Sequence, residues 1–293
     1  MPLVSVVIPA YNAGHFLEIA VRSVIAQTFN DWELVVVDDG SKEDIFALAE
    51  LDARVRVIRQ ENCGQSIARN NGIAQTQSEF VAFLDADDVW LPRKLETQIR
   101  LMEERPEVAL CHTQFEIING EDERINHGFG GRMDSYLWLL DGCGIGISTV
   151  LVRRSVLGSI GVFNPLAAPT DDYELWLRIA RYNVIAGIDE ILMRYRMHGK
   201  NMSLNYELMF RASYLVLEQH RLAARKRGDR RAQAAARRGQ KNIARIYGSQ
   251  SFDRVREDVR LRRVVQSLPH LGFAVRHSPS FVVESLLAFA MRK

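Results

Sequence analysis

Glu33-Leu34-Val35-Val36-Val37-Asp38-Asp39-Gly40-Ser41 decides the fold. An unbroken apolar run closed by acids and a glycine turn reads as a strand covered on both faces and ended by a loop that carries chemistry. Working outward, Leu3 to Ile8, Val55 to Ile58 and Phe80 to Leu84 are runs of the same kind. Between them the pattern predicts helices around His15 to Gln27, Lys42 to Leu51 and Gln65 to Gln75. Repeated β-α-β units of this length imply a mostly parallel sheet with right-handed crossovers, a Rossmann-like α/β domain flanked by helices. Ligands of such sheets bind outside the carboxyl ends of the strands. Asp38-Asp39 and Asp85-Ala86-Asp87-Asp88 both fall at ends of that kind.

The bulk numbers frame this reading. A chain of 293 residues, 47% apolar and 25% charged, is neither disordered nor fibrous. Its net charge of +2 conceals a division. Residues 1–205 carry 19 Lys/Arg against 29 Asp/Glu, a net of −10, whereas residues 206–293 carry 19 against 7, a net of +12. The chain therefore reads as an α/β domain over 1–205 and a basic helical region over 206–293. Cys63, Cys111 and Cys143 are odd in number and far apart, which argues against a disulfide framework and for a reducing cytoplasm. Leu3 to Ile8 is too short for a secretory signal core, and no stretch reaches the roughly 20 apolar residues that span a bilayer.

The acids carry the chemistry. In Val7-Ile8-Pro9-Ala10-Tyr11-Asn12, Pro9 stiffens a turn and Tyr11 either offers a face for a base to stack on or simply packs. Asp38 and Asp39 either accept from a nucleoside or cap the next helix. Asp85 and Asp87 are harder to explain structurally, because carboxylates crowded at a strand end repel unless a cation or donors compensate them. Trp90-Leu91-Pro92 restarts a helix, which gives Asp88 a capping explanation. In Asp171-Asp172-Tyr173-Glu174-Leu175-Trp176, Asp172 shares a helix face with Leu175, Trp176 and Ile179, at the edge of an apolar stripe. Asp171 is explained by the helix dipole, which also opposes a basic Asp172. His198 lies in a polar loop, where an imidazole is either incidental or a ligand to metal or phosphate.

Taken in order, these motifs together with Gln27-Thr28-Phe29, Glu61-Asn62-Cys63-Gly64, Ala68-Arg69-Asn70-Asn71-Gly72 and Tyr195-Arg196-Met197-His198 resemble the family 2 glycosyltransferases with the GT-A fold, over roughly residues 2–205. The resemblance implies nucleotide-sugar contacts from Pro9, Tyr11, Asp39, Arg69 and Asp85. It implies a Mg2+ or Mn2+ ion held by Asp87 and His198, and Asp172 as the catalytic base. Asp171 stands where the family has Glu, and Cys63 where glycine commonly follows Asn62. The activity implied is an inverting transfer from a nucleoside-diphosphate sugar, with UDP the commonest base, to a glycan or lipid-linked acceptor. Bacterial cell-surface polysaccharide assembly is the implied setting.

Two other classes compete. A sugar-nucleotide nucleotidyltransferase would carry a glycine-rich basic loop early, whereas Pro9 to Gly14 has one glycine and no Lys or Arg. A non-catalytic binding module would have lost Asp87 or Asp172, and both are present. The stretch Asn119 to Gly146 reads as an acceptor-side lid or a plain connection with one short helix. Tyr206 to Arg227 and Arg230 to Gly248 predict two helices joined at Gly228-Asp229. Their arginines fit solvated faces or peripheral contact with an anionic membrane rather than nucleic acid, and the apolar Ser280 to Met291 fits either a membrane interface or a tail helix docked into the protein or a second subunit.

Overall fold

The computed structural model describes residues 1–127, 135–142, 144–199, 201–261 and 264–290. The chain divides into two compact units, Met1–Leu139 with Gly144–His198, and Leu140–Cys143 with Gly199–Lys293.

The first unit opens with β1 (Val4–Ala10), α1 (His15–Ile25), β2 (Trp32–Asp38), β3 (Val55–Arg59), α2 (Gln65–Ala74) and β4 (Phe80–Phe83). These four strands lie in the order β3-β2-β1-β4, all parallel, with β1, β2 and β4 buried along nearly their whole length and β3 half-buried at the edge. Val6, Ile8, Leu34, Val36, Ala82 and Leu84 enter one buried core. Helix α2 lies hard against the sheet at Gly72, where a Cβ would stand 2.4 Å from Val7 Cγ1. Only glycine permits that approach.

One helix of the sequence reading is absent. Lys42 to Leu51 forms only a short 3-10 turn over Phe46–Glu50. Ser41 N donates to Asp38 Oδ1 and Lys42 N to Asn12 Oδ1, while Phe46 N, a donor that a helix from Lys42 would use, is taken by Asp44 Oδ1. Short polar side chains offer the backbone this alternative to helix.

The rest of the unit is β5 (Val89–Trp90), α3 (Lys94–Glu104), β6 (Val108–Ile118), β7 (Arg124–His127), α4 (Tyr136–Asp141, which crosses the unit division), β8 (Val150–Arg153), α5 (Arg154–Ile160), α6 (Asp171–Ala180) and β9 (Val184–Arg196). Their strands extend the sheet as β4-β8-β6-β9-β5, with β7 on β6. Here antiparallel pairs, β4 with β8, β8 with β6, β6 with β7 and β9 with β5, join one parallel pair, β6 with β9. The sheet is thus a parallel half continued by a mixed one. The stretch Asn119 to Gly146 contains β7 and α4, and its residues 128–134 and 143 lie outside the described residues. Cys63 and Cys111 are free thiols, one exposed and one buried.

The second unit is helical: α7 (Tyr206–Lys226), α8 (Arg230–Arg260), α9 (Val264–His277) and α10 (Pro279–Ala290). Asp229 caps α8 by accepting from Ala232 N. Helix α8 runs past Gly248, which sequence reading took as its end. Gly248 is instead a contact point, where a Cβ would stand 2.5 Å from Ser278 Cβ. Phe252, Val255, Ala274 and Val282 form a small core with Phe281 against it. The tail's Leu286, Leu287 and Phe289 have side chains outside the described residues. No described helix is long and apolar enough to cross a membrane.

Candidate active site

The acid loop Asp85 to Asp88 leaves the end of β4 and is held from beneath. Ser148 Oγ accepts from Asp85 N at 3.0 Å and donates to Asp88 Oδ2 at 2.6 Å. Trp90 Nε1 in turn donates to Ser148 O at 2.8 Å. Asp88 also accepts from Arg196 N at 3.0 Å. Asp88 is therefore a buried anchor and not the helix cap expected from sequence, because β5 intervenes before α3 begins at Lys94.

Asp85 and Asp87 face the open side of this loop and are only partly buried. His198, two residues past β9, places Nε2 2.9 Å from Asp87 Oδ2. Carboxylate oxygens of Asp85, Asp87 and Asp88 lie within 4.8 Å of one another, a grouping of potential metal ligands among the described residues. Burial, then Asp85, pushes the Asp87 carboxyl up, while His198 opposes the shift. Burial with Asp87 and Asp85 raises Asp88 well above the ordinary range. Crowded oxygen donors that repel one another, with an imidazole beside them, fit a hard divalent cation.

Arg69 joins this loop to the second acid pair. It sits on the inner face of α2, 2% exposed, with Ser66, Gly72 and Ile73. Its Nη2 donates to Asp85 Oδ1 at 2.7 Å and its Nη1 to Asp171 Oδ2 at 3.2 Å, while the guanidinium carbon stands 5.5 Å from the Phe163 ring centroid. Burial opposes its charge, but Asp85 and Asp171 outweigh that and raise its pKa. Asp171 is thus fully buried and paired, where sequence reading gave it only a dipole role. Arg69, expected among the nucleotide contacts, bridges these two acids through Nη2 and Nη1, and its buried Nε has no hydrogen-bond partner among the described residues.

Asp172 follows at the first turn of α6. Its Oδ1 accepts from Tyr173 N at 2.7 Å. Burial and then Asp171 push its carboxyl up to about 7, against the lowering pull of Arg69. The balance left open between helix dipole and burial thus falls to burial and like charge.

The other expected residues gather at the ends of β1 and β2. Tyr11 lies just past β1 and is 54% exposed, so its ring face is open, and Pro9 sits in β1 opposite Val37. Asp39 is buried and accepts from Gln60 Nε2, Cys63 N and Gly64 N at 2.7, 2.8 and 2.9 Å. Cys63 contributes its backbone donor while its side chain is exposed, so a residue other than glycine is tolerated there. Sequence reasoning missed Ser148 and gave Arg196, though it lies in a quoted motif, no role of its own. Arg196 is fully buried, and its Nε donates to Asp87 O at 2.8 Å.

The parallel half of the sheet carries acids at its carboxyl ends, and Arg69 ties them to the acid pair that opens α6. The description "Glycosyl transferase family 2" matches residues 5–160, and the chain belongs to that family. It is 35% identical over 211 residues to the UDP-Glc:alpha-D-GlcNAc-diphosphoundecaprenol beta-1,3-glucosyltransferase WfgD of Escherichia coli, covering 69% of this chain and 80% of that one. It is 32% identical over 211 residues to the putative teichuronic acid biosynthesis glycosyltransferase TuaG of Bacillus subtilis, covering 70% and 82%. The fold matches the mannosyltransferase PcManGT of Pyrobaculum calidifontis in complex with GDP-Man and Mn2+, with a TM-score of 0.62 and 16% identity over 99% of this chain and 80% of that one. Family membership sets aside the nucleotidyltransferase and the bare binding module.

Proposed function

We propose that this glycosyltransferase is inverting and metal-dependent, and moves a hexosyl or N-acetylhexosaminyl group from a nucleoside diphosphate to a hydroxyl of a glycan or lipid-linked acceptor. The observation that carries the reading is the Arg69 bridge, which ties the acid loop through Asp85 to the helix of Asp172 through Asp171. That link supports reading the two halves of the chemistry as parts of one site.

Asp87 and His198 would hold the cation, with Asp85 beside them toward the ribose. When bound, Mg2+ or Mn2+ neutralises charge on a departing diphosphate. Tyr11 offers a stacking face to the base, and Asp39 with Pro9 lines the same strand ends. Asp172 accepts the proton of the acceptor hydroxyl as its oxygen attacks the anomeric carbon. The bond to the diphosphate breaks on the opposite face, so configuration inverts without a covalent enzyme intermediate. A carboxyl raised to about 7 is a better base than an ordinary aspartate and is still half ionised at neutral pH.

The UDP-Glc donor of WfgD favours UDP as the base, and the putative role of TuaG in teichuronic acid biosynthesis favours surface-polysaccharide assembly as the setting. A thermal-shift panel of UDP, dTDP and GDP with and without Mn2+ tests the donor side, since a ligand of the folded state raises its melting point. One base should give a metal-dependent rise. A panel in which no diphosphate moves the melting point refutes the assignment. Peripheral contact with the cytoplasmic face of a membrane is part of the same proposal. It is supported by the net +12 of residues 206–293 and by Leu208, Leu215 and Leu222 exposed at seven-residue spacing on α7. Cosedimentation with phosphatidylglycerol vesicles, declining with salt, is its expected signature.

A further inference from the structure

We propose that Phe16 is a positioning residue, which sets His198 against Asp87 and so shapes the cation pole of the site. The inference rests on the proposed metal role of Asp87 and His198. Phe16 lies in the first turn of α1, far in sequence from either residue, and belongs to none of the motifs above.

The argument is geometric. The Phe16 ring stacks on the His198 imidazole with centroids 5.3 Å apart and planes inclined by 18°. The Arg196 guanidinium also faces this ring, its central carbon 4.6 Å from the centroid. Both partners of the ring grip Asp87, Arg196 through its backbone oxygen at 2.8 Å and His198 through its carboxylate at 2.9 Å. One aromatic side chain from α1 therefore contacts the two residues flanking Met197 that hold Asp87.

Strand β9 ends at Arg196, and Met197 N makes a last bond to Ile118 O at 2.8 Å. Asp87 and Phe16 are two of the side chains that orient the His198 imidazole. Near-parallel offset rings attract, and a guanidinium over a ring face does likewise. A leucine at position 16 keeps apolar bulk but has no flat face against which an imidazole can lie. The ring would then lose its preferred plane, and a ligand pair out of plane binds a cation less well.

The test uses the full chain and reads Mn2+ binding by electron paramagnetic resonance, with Mn2+ titrated alone and with UDP. Phe16→Leu is expected to weaken Mn2+ binding by roughly three- to tenfold, the range an aromatic pair supplies. Phe16→Tyr should restore it, and the ligand-free melting point of both variants should stay near that of the parent. Two controls separate this inference from the reading beneath it. Binding that Asp87→Asn abolishes but Phe16→Leu leaves intact overturns the role of Phe16 and keeps the metal site. Absence of Mn2+ binding in the parent overturns both. Equal loss in the Leu and Tyr variants also overturns the proposal, since a tyrosine keeps the ring face.

Discussion

Arg69 and Asp171 form a buried ion pair at 3.2 Å, both side chains all but inaccessible to solvent. A charge so enclosed is tolerated only while its partner remains, because stripping one member leaves the other unpaired in a low-dielectric setting. Arg69→Met is therefore expected to cost about 3–5 kcal/mol of stability. It should also loosen Asp85 and Asp171 together. Urea unfolding of the variant checks the first statement. A cost below about 1 kcal/mol, the size of a surface pair, would mean that the bridge is not buried in solution.

This bridge also shows where sequence reading stops. The strand ends at Asp38-Asp39 and Asp85 to Asp88 were legible because parallel strands covered on both faces are continuous apolar runs, and the acids that close them stand out. Ser66, Arg69, Gly72 and Ile73 do fall at helical spacing on one face of α2, but an arginine at a core position is read by default as solvated. Its inward setting depends on Asp85 and Asp171, which are distant in the chain. The Lys42 to Leu51 segment failed for a local reason, since Asp44 takes the Phe46 N–H that helical bonding there would use. Ser148 carries no local signal, and Arg196 stands in a motif that gives it no role of its own, because both become site supports only when the mixed half of the sheet brings them to the acid loop.

Asp172 gives the reaction its expected pH dependence. A base must be ionised to accept a proton, so kcat/KM should rise as pH increases through about 7 and level above it. Asp172→Asn should lower transfer by about 10² to 10⁴ while donor binding persists. The stability signs run the other way. The folded value stands above the ordinary 3.8, so the stabilisation from proton uptake is complete below about pH 4 and is lost as pH rises through about 7. Asp172→Asn should therefore be relatively more stable than the parent at pH 8. Near-parental transfer by this variant would rule out the base assignment.

Ser148 offers a test of the loop support that spares every group expected to touch substrate. Its hydroxyl satisfies both Asp85 N and Asp88 Oδ2, so Ser148→Ala leaves two buried polar groups short of a partner. The expected cost is about 1–3 kcal/mol, larger than for an ordinary serine. Because Asp88 and the Asp85 backbone both shift, the concentration of Mn2+ needed for half-maximal activity should rise with it. Stability loss with an unchanged metal requirement would show that the loop is held adequately by Arg196 and Trp90.

Lys94 is buried without a carboxylate partner, its Nζ donating to Gln98 Oε1 at 2.6 Å and standing 4.0 Å from the Trp90 ring centroid. Burial lowers its pKa to about 7 from an ordinary 10.5. The neutral amine is thus favoured in the folded state, and stability should increase as pH rises from about 7 toward 10.5, where the unfolded chain also loses its proton. Lys94→Met keeps the length and apolar volume, and should remove this pH dependence while raising stability at pH 7. The unpartnered Gln98 oxygen offsets about 1 kcal/mol of that gain. Urea unfolding of parent and variant at pH 7 and pH 9 decides the matter: a parent whose midpoint is the same at both values would show that Lys94 keeps its charge inside the core, held by Trp90 and Gln98 more strongly than burial opposes it.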